Sequence, residues 1–306
     1  MMNKNKSDYS QLISQKSINY FIQKHQLPED FEKLILNYYI PLISWISERV
    51  NNYSPYIFGI NGPIGSGKST LADFIKSSIQ PHLNGGVAVL SLDDFYFTKK
   101  ERVHLSKTIH PLLITRGVPG THDISMLLDY INRLKNLTLG REIMLPQFNK
   151  AKDDREPSSE WRQVTGPIDL IVIEGWCLNN TPIKPNFLKE SINQLEQSMD
   201  SEGIWRNYVN QQLAGNYRDL SGLINTLLFL NPPNMEILNT WRAKQESKLV
   251  SKNKKYKTNL MHGKSLTFFM QHFERWTKDN LLKMPKKADI IFNLNKKHNC
   301  FEALYK

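Results

Sequence analysis

Residues 62–69 read Gly-Pro-Ile-Gly-Ser-Gly-Lys-Ser, the pattern G-x-x-x-x-G-K-[ST], which constrains this chain more than any other feature. An apolar run precedes it at residues 56–60, and residues 69–80 follow with apolar side chains at helical spacing. A glycine-rich turn between a strand and a helix directs backbone N–H groups at phosphate. In this pattern the lysine, here Lys68, reaches the β- and γ-phosphates, and the Ser69 hydroxyl binds Mg²⁺. The sequence therefore predicts a nucleoside triphosphate site formed by Gly62, Pro63, Ile64, Gly65, Ser66, Gly67, Lys68, Ser69 and Thr70.

Apolar runs that read as strands alternate with helical or irregular stretches. They cover residues 56–60, 87–92, 169–173, 224–230 and 288–294. Continuous apolar runs of this kind are typical of a parallel sheet that is buried on both faces. With the phosphate-binding pattern, they predict an α/β fold of the P-loop NTPase type: three layers, α/β/α, with a five-stranded, mainly parallel sheet and extra helices. Ligands in such folds bind at the carboxyl ends of the strands.

The segments outside these runs predict the domain organisation. Residues 13–50 read as helices, with Pro28 and Pro41 marking helix starts, so residues 1–52 are predicted to form an N-terminal helical extension. Residues 53–306 would then form the P-loop domain, with a polar helical insertion at about 179–222. Residues 148–163 are charged and read as irregular.

The amino-acid composition indicates which binding partners and which cellular compartment to expect. Cys177 and Cys300 are the only cysteines among 306 residues, which argues against a disulfide framework and for a reducing compartment. No signal peptide or membrane-spanning run is visible, so a cytoplasmic protein without a membrane partner is predicted. The net charge is +11, with much of the excess in residues 244–264 and 284–297. The lysine-rich residues 248–257 hold one aromatic and no arginine, so a solvated face is favoured over a nucleic-acid site.

Acidic residues follow two of the predicted strands. Asp93 and Asp94 come after the second run, where a carboxylate could accept the proton of a hydroxyl that attacks the γ-phosphate. Helix-capping carboxylates are an equally good interpretation of that pair, and we expect only one of the two to face the phosphates. Glu174 directly follows the third run in the Walker B arrangement, which holds Mg²⁺ directly or through water.

Two loops carry side chains that can bind anions. Residues 110–123 contain His110, Arg116 and His122, and Asp123 is placed to cap a helix at residues 124–137. The histidines could equally serve backbone groups alone, so Arg116 is the stronger candidate. Cationic residues recur at residues 150–155, where a mobile lid could close over phosphates.

These motifs together resemble the D-glycerate 3-kinase family, a group of P-loop kinases related to phosphoribulokinase, uridine kinase and pantothenate kinase. The resemblance rests on residues 62–69, 93–96 (Asp-Asp-Phe-Tyr), 115–123 (Thr-Arg-Gly-Val-Pro-Gly-Thr-His-Asp), 148–155 and 174–177, and continues thinly through residues 241–246. It implies that Asp93 is the catalytic base and that Lys68, Ser69 and Glu174 hold phosphate and Mg²⁺, with Asp93 near the metal. It further implies an acceptor site and a phosphate-stabilising lid. The acceptor residues would be Arg116, His122, Tyr96 and Arg155, and the lid arginines Arg155 and Arg242.

The sequence therefore predicts a kinase that uses ATP and Mg²⁺ to phosphorylate a hydroxyl of a small molecule, D-glycerate by preference. A kinase of the same fold with another acceptor, such as a nucleoside, pantothenate or a sugar acid, is one alternative. A nucleotide-binding switch or RNA-binding adaptor is the other. Asp93 distinguishes this last class, because a switch needs no base for an acceptor hydroxyl. The sequence does not indicate an oligomeric state.

Overall fold

A six-stranded sheet forms the centre of the computed structural model, which describes residues 13–50, 55–252 and 264–306. The strands of this sheet are β1 (Tyr56–Asn61), β2 (Gly86–Ser91), β7 (Ile168–Gly175), β8 (Thr226–Asn231), β9 (Ile290–Leu294) and β10 (Cys300–Tyr305). Their order across the sheet is β10-β9-β8-β1-β7-β2.

The first five of these strands pair in parallel, in agreement with the five predicted runs. Strand β1 is buried along its whole length, as expected for the centre of a sheet covered on both faces. The parallel pairing brings the carboxyl ends of β1, β2 and β7 to one edge, where Ser91 lies level with Glu174. The phosphate loop follows β1 at that same edge.

The sixth strand, β10, was not predicted. It pairs antiparallel with β9 at the border of the sheet, and most of its side chains are exposed or half-buried. An edge strand of this kind lacks the continuous apolar run by which the others were found.

Helices cover both faces of the sheet. They are α1 (Gln15–His25), α2 (Phe31–Leu34), α3 (Ile40–Val50), α4 (Lys68–Ile79), α5 (Lys99–Thr108), α6 (Ile124–Lys135), α7 (Gln194–Met199), α8 (Ile204–Ala214), α9 (Asn216–Gly222), α10 (Glu236–Lys252) and α11 (Lys264–Lys287). Short 3₁₀ turns occupy Gln80–His82, Leu92–Phe95, Pro111–Ile114, Ser158–Glu160 and Pro185–Leu188. The resulting α/β/α arrangement is the fold that the sequence predicts.

The N-terminal helices pack into the same core as the sheet. Phe21 of α1 and Tyr39 lie against Phe74 of α4, with ring centroids 5.0 and 5.2 Å away, and Tyr39 also stacks on Phe292 of β9. The proposed boundary at residue 52 therefore separates segments that share a hydrophobic core, and the division into extension and kinase domain stays a proposal.

Pro41 does not begin a new helix as predicted. The chain stays helical from α2 into α3 through a π-helical turn, Ile35–Tyr39. Because proline has no N–H to donate to the preceding turn, the wider turn before it keeps the helix continuous.

Residues 148–163 contain more regular secondary structure than their charged sequence predicts. Strands β4 (Phe148–Asn149) and β5 (Asp154–Arg155) form a small hairpin. Beside it, β3 (Glu142–Leu145) pairs antiparallel with β6 (Arg162–Thr165). The β3–β6 pairing joins residues on either side of the hairpin, which a local pattern does not reveal, and β4 and β5 are too short to give a pattern of their own.

The predicted insertion at about 179–222 is largely helical and contains α7, α8 and α9. Among the helices that the structure describes, none is both long and apolar enough to cross a membrane. The whole lysine-rich run at residues 248–257 lies outside the residues whose side chains are described.

Candidate active site

The phosphate loop joins β1 to α4 in the way the motif requires. Gly65 and Gly67 have φ angles of 82° and 96°, a left-handed conformation that residues with a Cβ rarely adopt. Gly67 directly precedes Lys68, so the loop ends in the first turn of α4 with free backbone N–H groups. The Lys68 Nζ lies 3.0 Å from the carbonyl oxygen of Pro63, folded back over the loop. Burial lowers the pKa of Lys68, although Glu174 and Asp93 act in the opposite direction.

Oxygen atoms suited to a metal ion meet beside this loop. The hydroxyl groups of Ser69 and Ser91 both donate to Oε1 of Glu174, at 2.7 and 2.9 Å. Glu174 is buried, and hydroxyl and carboxylate oxygens are the ligands that Mg²⁺ prefers. Within the described residues no cluster of three or more acidic, histidine or cysteine side chains could hold a metal alone. The donor set therefore fits a Mg²⁺ ion that also takes oxygens from nucleotide phosphates.

Asp93 and Asp94 face different surroundings, as expected. They lie in the 3₁₀ turn Leu92–Phe95 rather than on the strand, so the geometry of the turn separates them. Asp93 lines the same cavity as the phosphate loop, whereas Asp94 accepts a hydrogen bond from the Phe148 amide at 3.2 Å. Burial raises the pKa of Asp94 to about 6. Asp94 thus holds the β4 segment and lines a second cavity with Ser69 and Glu174, whereas Asp93 is the carboxylate that lines the phosphate-loop cavity.

Lys150 is a site residue that sequence reasoning did not single out. Its Nζ lies 2.6 Å from Oδ2 of Asp93, while the Tyr96 hydroxyl donates to Oδ1 of Asp93 at 2.8 Å. Burial alone would raise the pKa of Asp93, but the Lys150 ammonium and these hydrogen bonds hold it well below its usual range. Asp93 in turn raises the pKa of Lys150. The cationic 150–155 stretch was the available signal, yet nothing local favoured Lys150 over its neighbours.

Arg116 reaches the cavity, as predicted, and already has a partner. Its guanidinium pairs with the carboxylate of Asp153, donates to the Lys150 carbonyl at 3.3 Å, and lies over the Phe148 ring. These contacts tie the 115–123 loop to the β4–β5 hairpin.

His122 and Arg155 do not line the cavity, contrary to the direct contact expected for an acceptor site. His122 is buried with Nδ1 2.6 Å from the Tyr217 hydroxyl, and its ring stacks on Tyr96. Arg155 donates from Nη2 to the Tyr96 carbonyl at 2.8 Å. Both therefore support Tyr96, which does line the cavity.

The cavity itself has a volume of about 390 Å³, and the phosphate loop forms part of its lining. We call the lining group Asp93, Tyr96, Arg116, Lys150 and Trp176 its acceptor end. Elsewhere in the lining Trp241 stacks on His298, whose Nε2 donates to the Gly65 carbonyl at 2.7 Å. Arg242, the predicted lid arginine, also lines this cavity.

Cys177 is close to the site but has no chemical role in our account. The side chain is fully buried, and burial raises its pKa, so the thiol stays protonated at neutral pH. We expect Cys177→Ala to retain kcat within about threefold of wild type, because phosphoryl transfer to a hydroxyl needs no covalent enzyme intermediate. Steady-state kinetics with a parallel thermal melt checks this. A folded variant without turnover would contradict it.

Known proteins are similar in sequence to parts of this chain. No protein-family model matches the chain. The Uncharacterized kinase mug58 of Schizosaccharomyces pombe is 33% identical over 203 residues, which cover 64% of this chain and 71% of that protein. The chloroplastic D-glycerate 3-kinase of Arabidopsis thaliana is 28% identical over 229 residues, 69% of this chain and 48% of the relative. The chain therefore spans about half the length of that plant relative.

A solved structure supports the fold. D-glycerate 3-kinase from Cryptococcus neoformans var. grubii superimposes with a TM-score of 0.72 at 22% identity, covering 88% of this chain and 99% of that one. The similarity to mug58 covers more than two thirds of that kinase. The superposition shows that this chain has the same fold as the Cryptococcus enzyme. The chain is a kinase and belongs to the family of P-loop kinases that includes the D-glycerate 3-kinases.

Proposed function

We propose that this kinase uses ATP and Mg²⁺ to phosphorylate D-glycerate on its 3-hydroxyl group, giving 3-phosphoglycerate. The observation that carries the proposal is the acceptor end of the cavity. There a carboxylate, Asp93, shares a cavity with the phosphate loop and with two cations, Lys150, which it pairs with, and Arg116. That arrangement offers a base to a hydroxyl and positive charge to an acid on the same small molecule.

The donor half of the reaction rests on the phosphate loop. Its backbone N–H groups and the Lys68 ammonium would hold the β- and γ-phosphates, while Ser69 and Glu174 would hold Mg²⁺. The metal ion, when bound, neutralises charge that develops on the transferring group. Arg242 is the better candidate for the lid arginine, because it lines this cavity and Arg155 does not.

The acceptor half rests on Asp93 and its partners. A base with a pKa far below the operating pH abstracts a proton poorly. The ion pair with Lys150 produces such a pKa, and so would have to loosen during turnover. Lys150 is exposed along its side chain and could move to the γ-phosphate, which would release Asp93 and add positive charge where it is needed. Lys150 would thus couple nucleotide loading to activation of the base.

A carboxylate-bearing acceptor other than glycerate, such as pantothenate, is the second candidate, since Arg116 could bind either acid. Asp93 lines the same cavity as the phosphate loop. Its presence there argues against a nucleotide-binding switch, because a switch needs no base for an acceptor hydroxyl. Both cysteines are free and buried, and we retain a cytoplasmic location as part of the proposal.

A thermal-shift screen tests the acceptor. With a non-hydrolysable ATP analogue and Mg²⁺ present, D-glycerate should raise the melting temperature more than L-glycerate, glycerol, pantothenate or uridine. A ligand at one hundred times its Kd adds about 2.7 kcal/mol of stability by mass action. A shift from pantothenate or uridine alone would reassign the acceptor.

Arg116→Lys is expected to raise the KM for glycerate by roughly tenfold, because an ammonium cannot reproduce the planar, bidentate contact of a guanidinium with a carboxylate. The KM for ATP should change little. Glycerol, which has no carboxylate, should be a poor acceptor for the wild type and lose much less on substitution. Arg133→Lys, on an exposed face of α6, is the matched control. Equal losses for glycerate and glycerol would show that Arg116 does not bind the acid.

A further inference from the structure

The helices between β7 and β8 contact the loop that carries Arg116. Tyr217 of α9 is buried, and its hydroxyl oxygen accepts from the Gly120 amide at 3.2 Å. The same hydroxyl lies 2.6 Å from Nδ1 of His122. Tyr208 of α8 reaches only the carbonyl oxygen of Gly120, at 3.4 Å. Of the two tyrosines, Tyr217 is therefore the one that touches the His122 ring.

These contacts fix the direction of the hydrogen bond. Burial raises the pKa of Tyr217 well above its usual value, so the phenol keeps its proton. The phenol oxygen could accept a second hydrogen bond, but a hydrogen on Nδ1 would then leave both the phenol hydrogen and Nε2 without a partner among the described residues, whereas donation by the phenol to Nδ1 leaves only Nε2–H unpaired. His122 then accepts at Nδ1 and carries its own hydrogen at Nε2.

The ring of His122 is electrically neutral in this setting. Burial lowers its pKa to about 4, although Asp93 acts in the opposite direction. Only one ring nitrogen is therefore protonated at neutral pH, and Tyr217 decides which. Within the described part of the chain, Nε2 has no hydrogen-bond partner, so nothing else there selects the tautomer.

A continuous set of contacts leads from His122 to Asp93. The His122 ring stacks on Tyr96 with centroids 4.4 Å apart and planes 24° apart, and the two residues also form a backbone bridge. The Tyr96 hydroxyl in turn donates to Asp93 at 2.8 Å. A shift of the His122 ring would therefore move the phenol that orients the carboxylate.

We propose that Tyr217 is a positioning residue for the catalytic base: it holds His122 in the tautomer protonated at Nε2 and, through the stacked Tyr96, fixes the orientation of the Asp93 carboxylate. The role of Asp93 as the base rests on the proposed function, whereas the tautomer does not. This gives α9 a function in catalysis, although no residue of that helix lines the cavity.

NMR of the full chain labelled with ¹⁵N-histidine and ¹³C-aspartate tests the tautomer without any substrate. In the wild type, the His122 signals should show a protonated Nε2 and an unprotonated Nδ1. Tyr217→Phe should give a mixture of tautomers, and the Asp93 ¹³Cγ signal should move with it. Tyr208→Phe, the matched loss of a hydroxyl on the same segment, should leave both signals unchanged. A protonated Nδ1 in the wild type, or the wild-type pattern in Tyr217→Phe, would overturn the proposal.

Kinetics provide the second readout. Tyr217→Phe should lower kcat roughly tenfold at an unchanged KM for ATP, while Tyr208→Phe stays near wild type. A variant with altered tautomer but wild-type kcat would refute the positioning role. Absent turnover of glycerate by the wild type, together with the expected NMR pattern, would instead count against the proposed acceptor, and the comparison would be repeated with the acceptor that is turned over.

Discussion

Asp93→Asn is expected to lower kcat by roughly two to four orders of magnitude, the usual contribution of a general base. The amide keeps the shape of the side chain but cannot accept the proton of the acceptor hydroxyl. ATP affinity should be nearly unchanged, because the phosphates are held mainly by the loop between β1 and α4. Pre-steady-state and steady-state rates with Mg²⁺ and ATP measure the effect, and binding of the ATP analogue measures the affinity.

Asp94→Asn is the matched control for this substitution. Asp94 lies one residue away in the same 3₁₀ turn, and its carboxylate accepts from the Phe148 amide, whereas the carboxylate of Asp93 pairs with Lys150. We expect it to retain most of the activity. If Asp94→Asn were the damaging change and Asp93→Asn were not, the assignment of the base would be wrong.

Lys68→Ala is expected to lower kcat by roughly two to three orders of magnitude, since it removes a preorganised cation from the transferring phosphoryl group. Its ammonium donates to the carbonyl of Pro63 at 3.0 Å, a contact within the phosphate loop itself, so the fold should not depend on it. The melting temperature of the variant without nucleotide should stay close to that of the wild type.

Lys76→Ala offers a comparison on the same helix. Lys76 lies two turns after Lys68 on α4, away from the phosphate loop, and its loss should leave kcat near the wild-type value. Wild-type turnover by a folded Lys68→Ala protein would contradict the phosphate-loop assignment.

Features with a local chemical cause could be predicted from sequence. The phosphate loop can be predicted because binding of phosphate and Mg²⁺ requires a lysine and a serine at fixed spacing after the glycines. The parallel strands can be predicted because a strand that is buried on both faces consists of a continuous run of apolar residues. Glu174 was found because a carboxylate after such a strand has few other uses beside a phosphate loop. The structure brings it to Ser69, which lies 105 residues away in sequence.

Features set by distant contacts could not be predicted. Lys150 is a site residue only because the hairpin of β4 and β5 carries it to Asp93, 57 residues earlier. His122 and Arg155 lie in loops with suitable chemistry, but packing against Tyr217 and Tyr96 draws them out of the cavity. The apolar residues of β10 are interrupted by Glu302 and form no continuous run, and the position of the strand depends on the edge offered by β9.

Direct detection of the product tests the central claim most closely. The purified chain would be incubated with ATP, Mg²⁺ and D-glycerate, and phosphorus NMR would follow the phosphate signals. We predict that 3-phosphoglycerate appears as ATP is consumed, with a higher kcat/KM than for L-glycerate, glycerol, pantothenate or uridine, and that Asp93→Asn nearly eliminates the signal. ATP-dependent phosphorylation of pantothenate or uridine without any phosphorylated glycerate would contradict the account.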